Sequence, residues 1–244
     1  LFKVTDGLGG QSQVQYQLAS QSALYKKYTD AAYPVADIIP GYLVSTLFTD
    51  NGKRAFNQTT YQYEGLKTHI KGLGSLGFRK VITKDVTTGI TSETTYSQDW
   101  QKRTTGLAES QVTKTASNAV LSQQNAQLTN RYQGVHTQLF LPVTTLTTSK
   151  KWDLDGSYIG TTSSESIFDA AGQVIQATSC ATENSFYEAL VSCTVMGIAT
   201  RKETTTFSYY AAEQVAHLPG LLYQKQTTAS VPSTHTYQPA LPKN

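Results

Sequence analysis

Hydrophobic and polar residues alternate with a period of two along most of the chain. Val14, Tyr16 and Leu18 interleave with Gln13, Gln15 and Gln17. Tyr61 and Tyr63 share one face of TYQY, and Thr205, Phe207 and Tyr209 alternate with Thr204, Thr206 and Ser208. A strand points successive side chains to opposite faces, so this spacing predicts half-buried antiparallel strands. Between the alternating stretches sit Asp6-Gly7, Asp50-Asn51-Gly52, Asp85 to Gly89, Asp155-Gly156 and Asp169 to Gly172. Asp and Asn tolerate the left-handed conformation and Gly adopts it freely, so these are expected hairpin turns. The richest stretch runs from Tyr61 to Trp100. It reads as a strand, a glycine-studded bend GLGSLGF (Gly72 to Phe78), a second strand, a turn and a third strand.

Three segments interrupt the pattern. Ser20 to Asp37 has no clean period and carries Pro34; a long loop with a short helix around Ala23 to Tyr28 is expected. Ser117 to Arg131 has helix propensity, but its β-compatible residues and flanking strands place strand ahead of helix. Ala229 to Asn244 carries Pro232, Pro239 and Pro242 and is expected to be an extended, peripheral tail. No domain boundary is visible, so residues 1–244 read as one β-rich segment. The start at Leu1 suggests a fragment or processed piece of something larger.

Composition sharpens this all-β expectation. Of 244 residues only 15% are charged, and Thr, Ser and Gln carry the polarity instead. Thr is β-branched and tolerates water, which suits sheets with a solvated face and disfavours charged amphipathic helices. Fifteen Tyr against one Met point the same way. The net charge of +3 is dispersed over pairs such as Lys26-Lys27, Arg79-Lys80, Lys150-Lys151 and Arg201-Lys202. Such pairs suit solvated strand ends rather than a nucleic-acid groove. No apolar run approaches the ~20 residues a membrane helix needs.

Candidate chemistry is sparse. Cys180 and Cys193 bracket twelve residues; on facing strands they would form a disulfide, and otherwise they are two partly buried thiols. His69, His136, His217 and His235 are isolated, except that Glu213 precedes His217 by four residues, so no metal site is expected. Asp153-Leu154-Asp155-Gly156 resembles the start of a calcium loop but lacks the later acidic ligand, leaving a plain turn. Gly72, Gly74 and Gly77 imitate a dinucleotide-binding GxGxxG. A strand rather than a helix is expected after Phe78, which argues against a cofactor there. Glycines within a strand pattern mark bulges and sharp bends, so Gly72, Gly74, Gly77 and Phe78 are assigned to a structural corner. The sequence holds no GxSxG, Walker loop or HExxH, and no enzymatic activity or cofactor is expected. Asn57-Gln58-Thr59 is a glycosylation sequon.

The stretch from Tyr61 to Trp100 resembles a segment of YD-repeat (RHS) proteins, especially the B components of Tc insecticidal toxins. The resemblance is carried by Tyr61, Tyr63 and Gly65, then Gly72, Gly74, Leu76, Gly77, Phe78 and Arg79, then Asp85, Gly89 and Tyr96. Phe2 to Gln17, Ala31 to Val35 and Ile167 to Gln176 add weaker matches. Leu73 replaces a common Arg, and Phe168 replaces a repeat Tyr. The Asp-Pro-rich self-cleavage motif and the Glu-x-Glu of some relatives are missing, so neither activity transfers.

The resemblance implies long antiparallel strands that curl into a hollow shell of a secreted bacterial virulence protein. It implies as partners the remaining shell segments, in the same or a partner chain, and an enclosed toxin polypeptide, with no nucleic acid and no membrane span. The alternative is an all-β module that binds carbohydrate or a cell-surface receptor through exposed aromatics, with Trp100 and Trp152 as candidates. Core packing is the plainer role for both tryptophans.

Overall fold

A computed structural model describes residues 2–20, 23–53, 55–132, 140–169, 172–183, 190–194, 201–210 and 222–230. The tail beyond residue 230, and His136, His217, His235 and Glu213, lie outside the described residues. Among the described residues there is no helix, and strands dominate. They are β1 (Phe2–Thr5), β2 (Gln11–Leu18), β3 (Tyr25–Lys26), β4 (Val35–Asp37), β5 (Tyr42–Asp50), β6 (Phe56–Glu64), β7 (Lys67–His69), β8 (Gly74–Gly77) and β9 (Lys80–Asp85). The second half adds β10 (Thr91–Tyr96), β11 (Ala108–Lys114), β12 (Val120–Tyr132), β13 (Phe140–Trp152), β14 (Tyr158–Phe168), β15 (Val174–Thr182), β16 (Arg201–Tyr209) and β17 (Leu222–Ser230).

Fourteen strands form one open sheet in the order β1-β2-β5-β6-β9-β10-β11-β12-β13-β14-β15-β16-β17, with β3 beside β6. Sequential strands pair as antiparallel hairpins through most of it. The turns explain why. At β1–β2, Asp6 Oδ1 accepts from Leu8 N at 2.9 Å and from Gly10 N at 2.7 Å. Asp50 accepts from Gly52 N at 2.8 Å between β5 and β6, and Asp85 from Thr87 N at 2.8 Å between β9 and β10. Asp155 and Asp169 do the same at the turns flanking β14, accepting from Ser157 N and Gln173 N. Each aspartate side chain folds the backbone back on itself, so five of the sequence-predicted turns join neighbouring antiparallel strands.

Three expectations are corrected. The helix around Ala23 to Tyr28 is absent: Leu24 ends a turn, and Tyr25-Lys26 pairs in parallel with Tyr63-Glu64 of β6. β5 pairs β6 only as far as Thr46–Thr60, so β3 fills the edge that β5 vacates. The segment expected as a loop also holds β4, which pairs β7. Third, the glycine run does not bend a strand of the main sheet. β6 pairs β9 directly from Thr59–Asp85 to Glu64–Lys80, and the run becomes the β7–β8 hairpin of a separate three-stranded sheet, β4-β7-β8. Ser117 to Arg131 contributes β12, a strand, because β11 and β13 flank it and bond to it on both sides.

The core is small. Among the described residues, eight apolar side chains are buried against twelve polar or charged ones. Ala19, Tyr25 and Leu66 form one cluster where the small sheet meets β6, with Ile38, Tyr63 and Phe78 against it. Cys180, Val191 and Cys193 form the other. A sheet this wide with so little apolar burial is a layer rather than the two packed layers of an ordinary domain.

Candidate functional site

The glycine corner is built where β6 hands the chain to the small sheet. Gly65 follows β6 with φ +63°, and Gly72, Gly74 and Gly77 have φ values of +97°, +74° and +77°. A Cβ on Gly72, Gly74 or Gly77 would meet nothing within 4 Å, whereas on Gly65 it would lie 2.6 Å from the Tyr28 ring and 3.0 Å from Arg79 Cβ. Of these four glycines, Gly65 is therefore the one that backbone and packing both restrict to glycine. Between β7 and β8 the register slips, pairing Lys67 with Gly77 but Thr68 with Ser75. The extra residue, Leu76, is 3% exposed, so the bulge turns it inward.

Polar groups pin the corner. Gln98 Nε2 donates to Gly65 O and Gly77 O, both at 2.7 Å, and so ties the two ends of the excursion together. Arg79 Nη1 donates to Tyr96 O at 2.5 Å and to Glu109 Oε2 at 2.6 Å. The Tyr28 hydroxyl donates to Glu64 at 2.5 Å; burial, with that carboxylate beside it, pushes the phenol up to about 12. Burial beside Tyr61 and Tyr16 likewise raises Tyr63 to about 12. The Lys102 amide, bonded to Asp99, holds that carboxyl below the usual range. Phe78 lies 4.9 Å from Tyr63 and 6.2 Å from Tyr25, ring centre to ring centre, as part of the apolar cluster. These contacts fix shape. They gather no nucleophile, base and orienting group in one cleft, and no three His, Cys, Asp or Glu are grouped for a metal ion among the described residues.

The two tryptophans sit apart in the topology and each packs on a neighbour. Trp100, in the loop after β10, tilts against His69 at 4.6 Å. Trp152 ends β13 and meets Tyr158 edge-on at 5.9 Å. Both are half-buried. Cys180 and Cys193 are joined in a disulfide, with Cα atoms 5.7 Å apart.

The broader surface is the sheet itself. Directly opposed residues of antiparallel strands share a face, so registers can be followed from strand to strand. One row runs Tyr63, Val81, Thr94, Gln111, Gln124, Ser149, Thr162, Ala181, Arg201. The neighbouring row, on the other face, runs Glu64, Lys80, Thr95, Ser110, Asn125, Thr148, Ser163, Cys180, Lys202. Beyond β9 both are almost free of large apolar side chains. On the first face an open groove of about 400 Å³ is floored by Thr147, Ser149, Thr162, Ser164, Ser179 and Ala181, with Arg201 and Glu203 at its side.

Sequence reasoning missed Gln98 and the special position of Gly65. Gln98 carries no local signal, because its two partners lie 33 and 21 residues away. Gly65 had one: a glycine closing an alternating strand marks a close approach of another group.

The sequence matches no family model and no curated protein. The fold does match solved structures. A TcdB2-TccC3 structure lacking the hypervariable C-terminal region superposes with a TM-score of 0.61 over 94% of this chain, at 9% identity. TcdB2-TccC3 gives 0.59 over 91% at 9% identity, and TcdB2-TccC3-Cdc42 gives 0.58 over 91% at 10%. In each case the matched region is 15% of the larger chain. The chain therefore has the fold of a portion of these Tc toxin structures. No helix among the described residues is long and apolar enough to cross a membrane.

Proposed function

We propose that this chain is a non-catalytic wall segment of a secreted RHS/Tc-toxin-type shell, a layer of strands that encloses a toxin polypeptide and holds it unfolded. The observation that carries the reading is the pair of cross-strand rows. A fourteen-stranded sheet whose faces are lined by Thr, Ser and Gln has little apolar surface with which to bury a second layer of its own. The same hydroxyl and amide lining is physically suited to an enclosed chain. It offers hydrogen bonds to a solvated backbone and, beyond β9, few large apolar side chains on which a partly folded cargo would stick. The likeness to Tc toxin structures over 15% of their length supports a part of a larger wall. Further shell strands would continue the sheet, and the corner at Gly72, Gly74, Gly77 and Phe78 would shape the small β4-β7-β8 sheet beside it.

The groove floored by Ser149, Thr162 and Ser164 is assigned to the inner side. In the intact protein that carries this chain, a photo-crosslinking residue placed at Thr162 or Thr113 is expected to capture the enclosed polypeptide. Placed at Gln127, exposed on the opposite face through its pairing with Leu146 and, beyond it, Glu165, it is expected to capture none. Capture at Gln127 alone would reverse the assignment of faces, and capture at none of the three would remove the enclosure reading.

A further inference from the structure

Residues 190–194 cross the second face of the sheet as a strap, touching three strands in succession. Cys193 is bonded to Cys180 of β15. The Cys193 amide donates to Glu165 of β14. Val191 exchanges two hydrogen bonds with one hydroxyl of β13: its N donates to Thr148 Oγ1 at 3.0 Å, and Thr148 Oγ1 donates to Val191 O at 3.3 Å. Val191 is 1% exposed, Cys193 5% and Thr148 0%.

The polar character of the covered surface decides how firmly this strap is held. Thr148, Ser163 and Thr178 lie buried on this side of the sheet, but hydroxyls exposed by an opening can be hydrated, so uncovering them costs little. The strap's non-covalent contacts include these three hydrogen bonds and one buried valine. Each hydrogen bond exchanges with water at small net gain, and the ordering of five backbone residues opposes them. Reduction removes the disulfide restraint on the strap, and the ordering cost then opposes the contacts that remain.

We propose that Cys180–Cys193 is a redox latch: a reducing thiol releases the 190–194 strap and uncovers the Thr148/Ser163/Glu165 surface while the sheet beneath stays paired. A thiolate attacks one sulfur, the S–S bond breaks through a mixed disulfide, and a second thiol completes the exchange. The protein gains two cysteine thiols and the reductant leaves as its own disulfide. Nothing in the ladder of β13, β14 and β15 depends on the link, because their registers run from Leu146–Glu165 to Thr161–Thr182 through backbone pairing alone.

The test is amide hydrogen exchange on the intact protein that carries this chain, oxidised, treated with a dithiol, and as the Cys180→Ser/Cys193→Ser variant. Exchange at residues 190–194 is expected to accelerate by about 30-fold or more in both reduced and variant forms. Strands β6, β9, β10 and β11 serve as the internal reference and are expected to keep their protection, as is β14. Re-oxidation with a small-molecule disulfide restores the slow exchange in the wild type only. Unchanged exchange at 190–194 would overturn the latch. So would a rise that spreads through β13 to β15 and the reference strands together, since the disulfide would then be a staple of the whole fold.

Discussion

At the scale of single residues, glycines that look alike in sequence differ in what holds them. Gly72, Gly74 and Gly77 need only the left-handed backbone, for which an L side chain costs roughly 1–2 kcal/mol. Gly65 needs that backbone and also the space occupied by the Tyr28 ring at 2.6 Å. Gly65→Val is therefore expected to cost about 2–5 kcal/mol, combining the conformational penalty with overpacking. Gly74→Ala is expected to stay within the conformational penalty alone. Denaturant midpoints of the two variants check the ordering; equal shifts would mean that the contact with Tyr28 does not constrain Gly65. The glycine run was legible because its spacing imitates a motif. The tighter constraint at Gly65 was not, because Tyr28 stands far from it in sequence and is brought there by β3, a two-residue strand that no periodicity can reveal.

At the scale of elements, the turns were the most legible part of the chain and the sheet-to-sheet handover the least. An aspartate that bonds amides two to four residues ahead acts locally, so Asp6, Asp50, Asp85, Asp155 and Asp169 could be read directly. Whether β6 pairs with the strand that follows it or skips to β9 depends on contacts such as Gln98 to Gly65 and Gly77, which sequence does not display. The strand at Val120–Tyr132 shows neighbours overriding helix propensity. The turns also give a pH response. The Thr88 amide bonded to Asp85, and the Ser157 hydroxyl and amide bonded to Asp155, hold both carboxyls below the ordinary range. A depressed folded value contributes stability above the unfolded pKa of about 3.9, and that contribution is lost as pH falls through the folded value. Amides of Thr87, Thr88 and Ser157 are expected to lose hydrogen-bond signatures in NMR below about pH 4, ahead of β9 and β14. Amides that stay unchanged to about pH 2 would show that the carboxylates are dispensable to the turns.

At the scale of the whole molecule, the all-β class and the expectation of a construction unit followed from period-two patterning, scarce charge and abundant Thr, Ser and Gln. The width of the sheet and its second, smaller partner did not. What the structure adds is the consequence of that width: a layer with a small core and two outer strands, β1 and β17, each paired on one side only among the described residues. Every described position of both strands is exposed, and each carries a single charge, Lys3 and Lys225. Such edges are templates for further strands. The claim that this chain is a segment of a larger wall is tested most directly by sedimentation velocity of the isolated chain across a concentration series. The account predicts concentration-dependent association or precipitation through these edges. A single monomeric species at all concentrations, unfolding in one cooperative transition, would contradict it.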